Sequence, residues 1–94
     1  MHKVYKIVNN INNKFYIGIT SSSLDKRLYQ HCWASSKGRN LPLHNAIRKY
    51  GKEVFTIELL HSFKSREDAC KKEVELIETL KPHYNVSKGG DGGS

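Results

Sequence analysis

Within the stretch Phe15 to His31, FYIGITSSSLDKRLYQH, the side-chain pattern changes from that of a strand to that of a helix across a cluster of serines. The first part is rich in aromatic and β-branched residues (Phe15, Tyr16, Ile17, Ile19, Thr20). Gly18 interrupts it, which suits a strand approached closely by another backbone or by a ligand. Ser22 followed three residues later by Asp25 has the form of a capping box. This predicts a helix from Ser23 or Leu24 with Leu24, Leu28 and Cys32 on its apolar side. At about 100° per residue, Arg27 and His31 lie one turn apart at the edge of that stripe. A tyrosine hydroxyl near a glycine, followed by an Arg and a His bordering a buried face, suits a phosphate site. The same residues also read as a solvated Arg and a core-edge His.

The strand half of this stretch finds a partner just before it in the chain. Lys3 to Val8, KVYKIV, alternates, with Val4, Lys6 and Val8 on one face and Lys3, Tyr5 and Ile7 on the other. The intervening NNINNK, residues 9 to 14, is made of turn formers, so the two runs predict an antiparallel hairpin that brings Tyr5 and Tyr16 to a common site. The first helix fades near Ser35 and Ser36 into the loop SSKGRN. From Pro42 or Leu43 to Tyr50, Leu43, Ala46, Ile47 and Tyr50 fall at helical spacing, and Gly51 takes the place of a C′ glycine. Glu53 to His61 alternates Phe55, Ile57 and Leu59 against Thr56 and Glu58, as a third strand does. Ser65 with Asp68 opens the longest helix, Arg66 to Leu80, which Pro82 stops.

Tyr84 and Val86 suit a short closing strand, and the glycine-rich segment from Lys88 to Ser94 has the composition of a flexible linker. The expected architecture is a small α+β domain over residues 1–87. A central three-stranded antiparallel sheet is flanked by helices in the order ββααβα, and residues 88–94 begin a linker.

Charge narrows the class of partner. The 94 residues carry 16 Lys and Arg against 9 Asp and Glu, a formal net charge of +7, and small basic domains meet nucleic acid through phosphate neutralisation and counterion release. No apolar run approaches the roughly 18 residues of a spanning helix and no secretory h-region follows Met1, so a cytoplasmic protein without a membrane partner is expected. Cys32 and Cys70 stand far apart and outside any CxxC pair, which reads as two reduced thiols. A zinc module built from His31, Cys32, His44 and Cys70 lacks finger-like spacing.

Glu73 is the most informative single residue. Ala69, Leu76, Ile77 and Leu80 define the buried stripe of the last helix, and Glu73 falls four residues after Ala69 and four before Ile77, inside that stripe. Lys71, Glu75 and Glu78 fall outside it, as solvated charges do. A core-facing carboxylate must be paired, protonated or bound to a cation. The alternatives are a salt bridge to Arg27 and a metal ligand.

Taken in order, Val4-Tyr5, Tyr16-Ile17-Gly18, Arg27, His31, Glu73 and Tyr84-Asn85 resemble the motifs of the GIY-YIG nuclease domain, over essentially the whole chain. The closest likeness is to the N-terminal catalytic domain of phage intron homing endonucleases. The resemblance implies metal-dependent hydrolysis of phosphodiester bonds in double-stranded DNA. Glu73 would hold one divalent ion, Mg²⁺ or Mn²⁺, and Arg27 would stabilise charge on the phosphate. Tyr5 would be the general base or water-positioning group, Tyr16 would orient water or phosphate, and His31 would share the base role. Gly18 and Asn85 would support the site.

Lys3 stands where the first motif has glycine, and Ile19 stands where the repair branch has a lysine. An additional loop histidine of some homing members has no clear counterpart, since His44 reads as a helix-surface residue. Lys37, Arg39, Arg48 and Lys49 are the expected nucleic-acid contacts. Target selection would fall to a DNA-recognition domain tethered beyond Ser94, leaving this domain little sequence preference. The rival reading is a basic module that binds nucleic acid without cutting it.

Overall fold

The computed structural model describes residues 1–85. It contains β1 (His2–Asn9), β2 (Phe15–Thr20), α1 (Leu24–Ser36), α2 (Pro42–Tyr50), β3 (Phe55–Phe63) and α3 (Arg66–Leu80), the expected ββααβα order. The strands form one antiparallel sheet in the order β2-β1-β3. The expected place of Val86 in a closing strand, and the linker from Lys88, lie outside the described residues.

Because β1 is central, both of its faces are covered. On one face Tyr5 and Ile7 pack with Leu43, Ala46 and Ile47 of α2, with Phe55 and with Tyr84. On the other, Val4 packs with Ile17 and with Ala69 and Ile77 of α3. The helices thus divide between the two sides of the sheet, the arrangement that buries both of its apolar faces. Lys6, on the α3 side of β1, stays half-buried, its ammonium 4.9 Å from the Phe15 ring centroid and 3.6 Å from Glu58 Oε1.

Three local expectations change. The cap of α1 is Ser23, which accepts from the Lys26 amide at 3.2 Å, whereas the Ser22 carbonyl accepts from Lys3 Nζ at 3.0 Å. The buried residues of α1 are His31 and Ser35, with Leu24, Leu28 and Cys32 only half-buried, so His31 lies within the packed face and not at its border. The third strand runs Phe55–Phe63 instead of Glu53–His61, because Gly51, at φ 91°, turns the chain and Lys52–Val54 form a 3₁₀ turn first. A register shift opposite Val4 and Tyr5, which face His61 and Leu59, then breaks the alternation. Leu59 is left exposed, while Leu60 and Phe63 pack on the α3 side.

The other cap is as expected: Ser65 accepts from the amides of Glu67 and Asp68 at 3.1 and 3.4 Å. After α3 the chain returns along the free edge of β2. The Tyr84 amide donates to the Phe15 carbonyl at 3.1 Å. The Asn85 carboxamide then behaves as a one-residue strand, accepting from the Ile17 amide at 3.0 Å and donating to the Ile17 carbonyl at 2.9 Å. The Tyr84 hydroxyl accepts from buried Asn9 at 3.2 Å, tying this return to the end of β1.

Candidate active site

Strand register sets the first part of the site. Tyr5 lies opposite Gly18 and Ile7 opposite Tyr16, so Tyr5 and Tyr16 share the face turned toward α1 and α2, with ring centroids 6.2 Å apart. Gly18 makes this possible. A Cβ there would stand 2.5 Å from the Tyr5 hydroxyl oxygen and 2.8 Å from Cε2 of Tyr16, so only glycine lets both rings lie against the strand.

The first helix supplies two partners one turn apart. Arg27 Nε donates to the Tyr5 hydroxyl at 3.1 Å, and Nη1 donates to Gln30 at 3.1 Å. His31 Nε2 is hydrogen-bonded to the same Tyr5 hydroxyl at 2.9 Å, and its ring meets that of Tyr16 edge to face at 5.3 Å. Asn85, through its grip on Ile17, holds the backbone between Tyr16 and Gly18. Tyr5, Tyr16, Gly18, Arg27, His31 and Asn85 therefore come together as expected.

Glu73 of α3 is half-buried; burial chiefly raises the hydroxyls of Tyr5 and Tyr16, and the Glu73 charge adds to both. Among the described residues the ion pairs are Lys6–Glu58 and Lys72–Glu75, so the alternative of a Glu73–Arg27 salt bridge is not formed. Desolvation raises the Glu73 carboxyl above its ordinary range, the mark of a carboxylate without a compensating cation. No cluster of three or more His, Cys, Asp or Glu occurs among the described residues, and Cys32 and Cys70 are free thiols. A lone carboxylate suits an ion such as Mg²⁺, which keeps several waters and takes its other ligands from substrate phosphate. Glu73 fits that role.

The buried groups have defined charge states. Desolvation raises Tyr5, with Tyr16 adding to it and the Arg27 hydrogen bond opposing, so Tyr5 is held as the phenol. Desolvation, with Arg27 and His44 adding, lowers His31 to about 3, so the imidazole is neutral.

His44 is the residue that sequence reasoning misplaced. Instead of standing on the surface of α2 it is buried, with Nε2 3.1 Å from His31 Nδ1, and its own Nδ1 is buried without a partner among the described residues. Its spacing, three residues before core Ile47, was the available signal. Desolvation chiefly, helped by Arg39, Arg48 and Arg27, keeps its pKa low.

Two neutral buried histidines make stability pH-dependent. Below their ordinary value of 6.5 the unfolded chain takes up protons that the folded imidazoles refuse, so stability falls as the pH drops below 6.5, down to about 3 for His31. The slope approaches about 1.4 kcal/mol per pH unit for each such histidine. The raised Glu73 carboxyl works in the opposite sense above its ordinary value, so the comparison is with a variant. Denaturant unfolding at pH 7.5 and 5.0 should show a clear loss in the native protein and a smaller loss in His44→Leu. Equal losses in both would contradict this assignment.

The expected nucleic-acid contacts are less uniform. Lys37 and Lys49 lie over the rings of Trp33 and Tyr50, at 5.5 and 5.3 Å, and Arg39 is exposed. Arg48 Nη1 donates to the carbonyls of Ser35 and Arg39 at 2.7 and 2.8 Å, and Nη2 donates to Asn45. Its guanidinium therefore ties down the loop between α1 and α2. A polar recess of about 310 Å³ adjoins the site, lined by Arg27 with His2, Ser21, Ser22, Gln30 and Arg66.

Comparison with known proteins agrees with this geometry. Residues 1–85 match the model of the GIY-YIG catalytic domain. The chain is 36% identical over 96 residues to the segE protein of Enterobacteria phage T4, covering 98% of this chain and 43% of that protein. It is 34% identical over 93 residues to endonuclease segA of the same phage, covering 95% of this chain and 39% of that one. The chain thus spans about two fifths of these relatives. Among solved structures, the catalytic domain of homing endonuclease I-TevI superposes with a TM-score of 0.78 at 25% identity, covering 93% of this chain and 99% of that one.

Proposed function

The chain belongs to the GIY-YIG catalytic-domain family, and from that premise we propose that it is a divalent-metal-dependent endonuclease that hydrolyses phosphodiester bonds in double-stranded DNA. The observation that carries this reading is the Tyr5–Arg27–His31 cluster, with the uncompensated Glu73 carboxylate acting on the same tyrosines. A plain binding module gains nothing from a lone half-buried carboxylate. Its charge would oppose the ligand.

The residues divide the work as follows. Arg27 spends Nε on Tyr5 and Nη1 on Gln30, and Nη2 has no partner among the described residues, so that edge is open to a phosphate oxygen. Its charge stabilises the developing phosphorane. The Tyr5 hydroxyl orients the attacking water and relays its proton to His31 Nε2; held at about 3, that imidazole is a weak acceptor on its own, and the negative charge of bound phosphate is what would raise it. Tyr16 holds the imidazole edge-on and places its hydroxyl beside the reacting groups. A divalent ion held by Glu73, Mg²⁺ or Mn²⁺, would supply Lewis-acid charge to the scissile phosphate. Lys37, Arg39 and Lys49 add sequence-independent attraction, with Arg48 contributing charge from its fixed place in the loop. Among the described residues no long basic helix is present to read base edges, which supports site selection by a tethered recognition region.

Incubation of supercoiled plasmid with the protein in Mg²⁺, Mn²⁺ or EDTA tests the reading. Nicked or linear product with either metal and none with EDTA is expected. Intact plasmid in all three would overturn it.

Gly18→Ala should separate geometry from folding. The added methyl must displace the fully buried Tyr5 ring, whose hydroxyl Arg27 and His31 hold, at a cost of about 1–3 kcal/mol for overpacking. Displacing a reacting hydroxyl by an ångström costs about 100-fold in rate. A folded variant, slightly lowered in Tm and cleaving at least that much more slowly, is expected. Native turnover would show that the Tyr5 position does not matter.

A further inference from the structure

Three polar side chains from three elements stand in line behind the reacting groups. They are Tyr5 on β1, His31 on α1 and His44 on α2, linked at 2.9 and 3.1 Å. Both imidazoles are almost fully buried, and His44 touches no reacting atom. We propose that His44 is a positioning residue that holds His31 in the Nδ1–H tautomer, leaving the Nε2 lone pair aimed at the Tyr5 hydroxyl. The inference rests on the cleavage reading above.

The proton inventory leads there. A neutral imidazole carries a single N–H, so each link in the line has one donor and only two polarities satisfy both links. In one, Tyr5 donates to His31 Nε2, His31 Nδ1 donates to His44 Nε2, and the remaining proton sits on His44 Nδ1. In the other every proton is reversed: His31 Nε2 donates to Tyr5, and His31 can accept nothing from it. The unpartnered His44 Nδ1 is common to both and does not distinguish them.

Arg27 does distinguish them. Its cationic Nε–H already donates to the Tyr5 oxygen, and a hydroxyl that accepts from a cation becomes the stronger donor, which favours Tyr5 giving its proton to His31. The first polarity is also the only one in which the transfer balances. A water O–H breaks as a new Tyr5 O–H forms, the old Tyr5 O–H breaks as His31 Nε2–H forms, and the imidazolium keeps its Nδ1–H on the His44 lone pair.

The unpartnered nitrogen adds a second argument. A buried histidine with one unsatisfied polar atom is a worse core residue than leucine, so packing alone gives no reason for it. Its worth lies in what Nε2 does for His31.

Nitrogen-15 NMR of the native protein's imidazoles, with kinetics of two variants on plasmid DNA, tests the proposal. The native spectrum should show His31 protonated at Nδ1. His44→Gln, whose carboxamide oxygen reaches the place of Nε2, should retain that tautomer and most of kcat. His44→Leu should remain folded, with unchanged or raised Tm, lose the Nδ1–H preference and fall about 100-fold or more in kcat at nearly constant KM. A native His31 protonated at Nε2 would overturn the proposal. So would a folded His44→Leu with native kcat. If the native chain fails to cut any plasmid, the cleavage reading falls, while the tautomer measurement still decides the His31–His44 relation.

Discussion

Glu73→Gln is expected to stop metal-dependent cleavage, lowering it by about two to three orders of magnitude or more, without unfolding the domain. The carboxylate has no ion-pair partner among the described residues, and burial holds its pKa up. Removing its charge therefore removes a desolvation penalty and breaks no contact. In metal-free buffer the variant should melt at the native temperature or above it. Mg²⁺ should raise the native Tm, because an ion that binds only the folded state stabilises it by mass action, and should leave the variant unmoved. A variant that cuts at the native rate would remove Glu73 from the chemistry. A large fall in metal-free Tm would assign it a structural partner instead.

Arg27→Lys is expected to cost nearly as much, although it keeps the charge. The guanidinium uses Nε to hold Tyr5 and Nη1 to hold Gln30, and a lysine ammonium cannot make both connections in that geometry. Loss of the hydrogen bond to Tyr5 also weakens that hydroxyl as a donor to His31. The rate should fall by about 100-fold or more, with a smaller change in affinity for a duplex measured in EDTA. Equal losses in binding and in turnover would mean that Arg27 serves only as a phosphate anchor.

Most of the fold was legible because its signals are local. The hairpin, the α2 stripe and the Ser65 cap follow from alternation, helical spacing and a capping pattern, and each reappears within a residue or two. What failed depends on partners distant in sequence. The break in β3 arises opposite Val4 and Tyr5, which no pattern within residues 53–63 encodes. The capping serine of α1 differs from the expected one by a single position, Ser23 accepting from the Lys26 amide in place of Ser22.

The site was legible in part for the same reason. Tyr5, Tyr16, Arg27, His31 and Glu73 stood out through order and spacing, and the structure groups the first four around one hydroxyl. The α2 spacing could have shown that His44 is buried, but not that its neighbour is the ring of His31, thirteen positions earlier on another helix. Arg48 illustrates the reverse error: its charge suggested a phosphate contact, while its hydrogen bonds go to loop carbonyls.

The grip of Asn85 on Ile17 bears on how the site is held together along the chain. Tyr5, Tyr16, Arg27 and His31 all lie in the first third of the sequence, yet the outer edge of the strand carrying Tyr16 and Gly18, whose inner edge pairs with β1, is closed by residues 84 and 85, the Asn85 bonds spanning 68 residues. Contacts of such span form last, since the loop between them must close first. A chain ending at α3 would keep β2 paired with β1 but leave the outer edge of that strand, at Phe15 and Ile17, without these bonds.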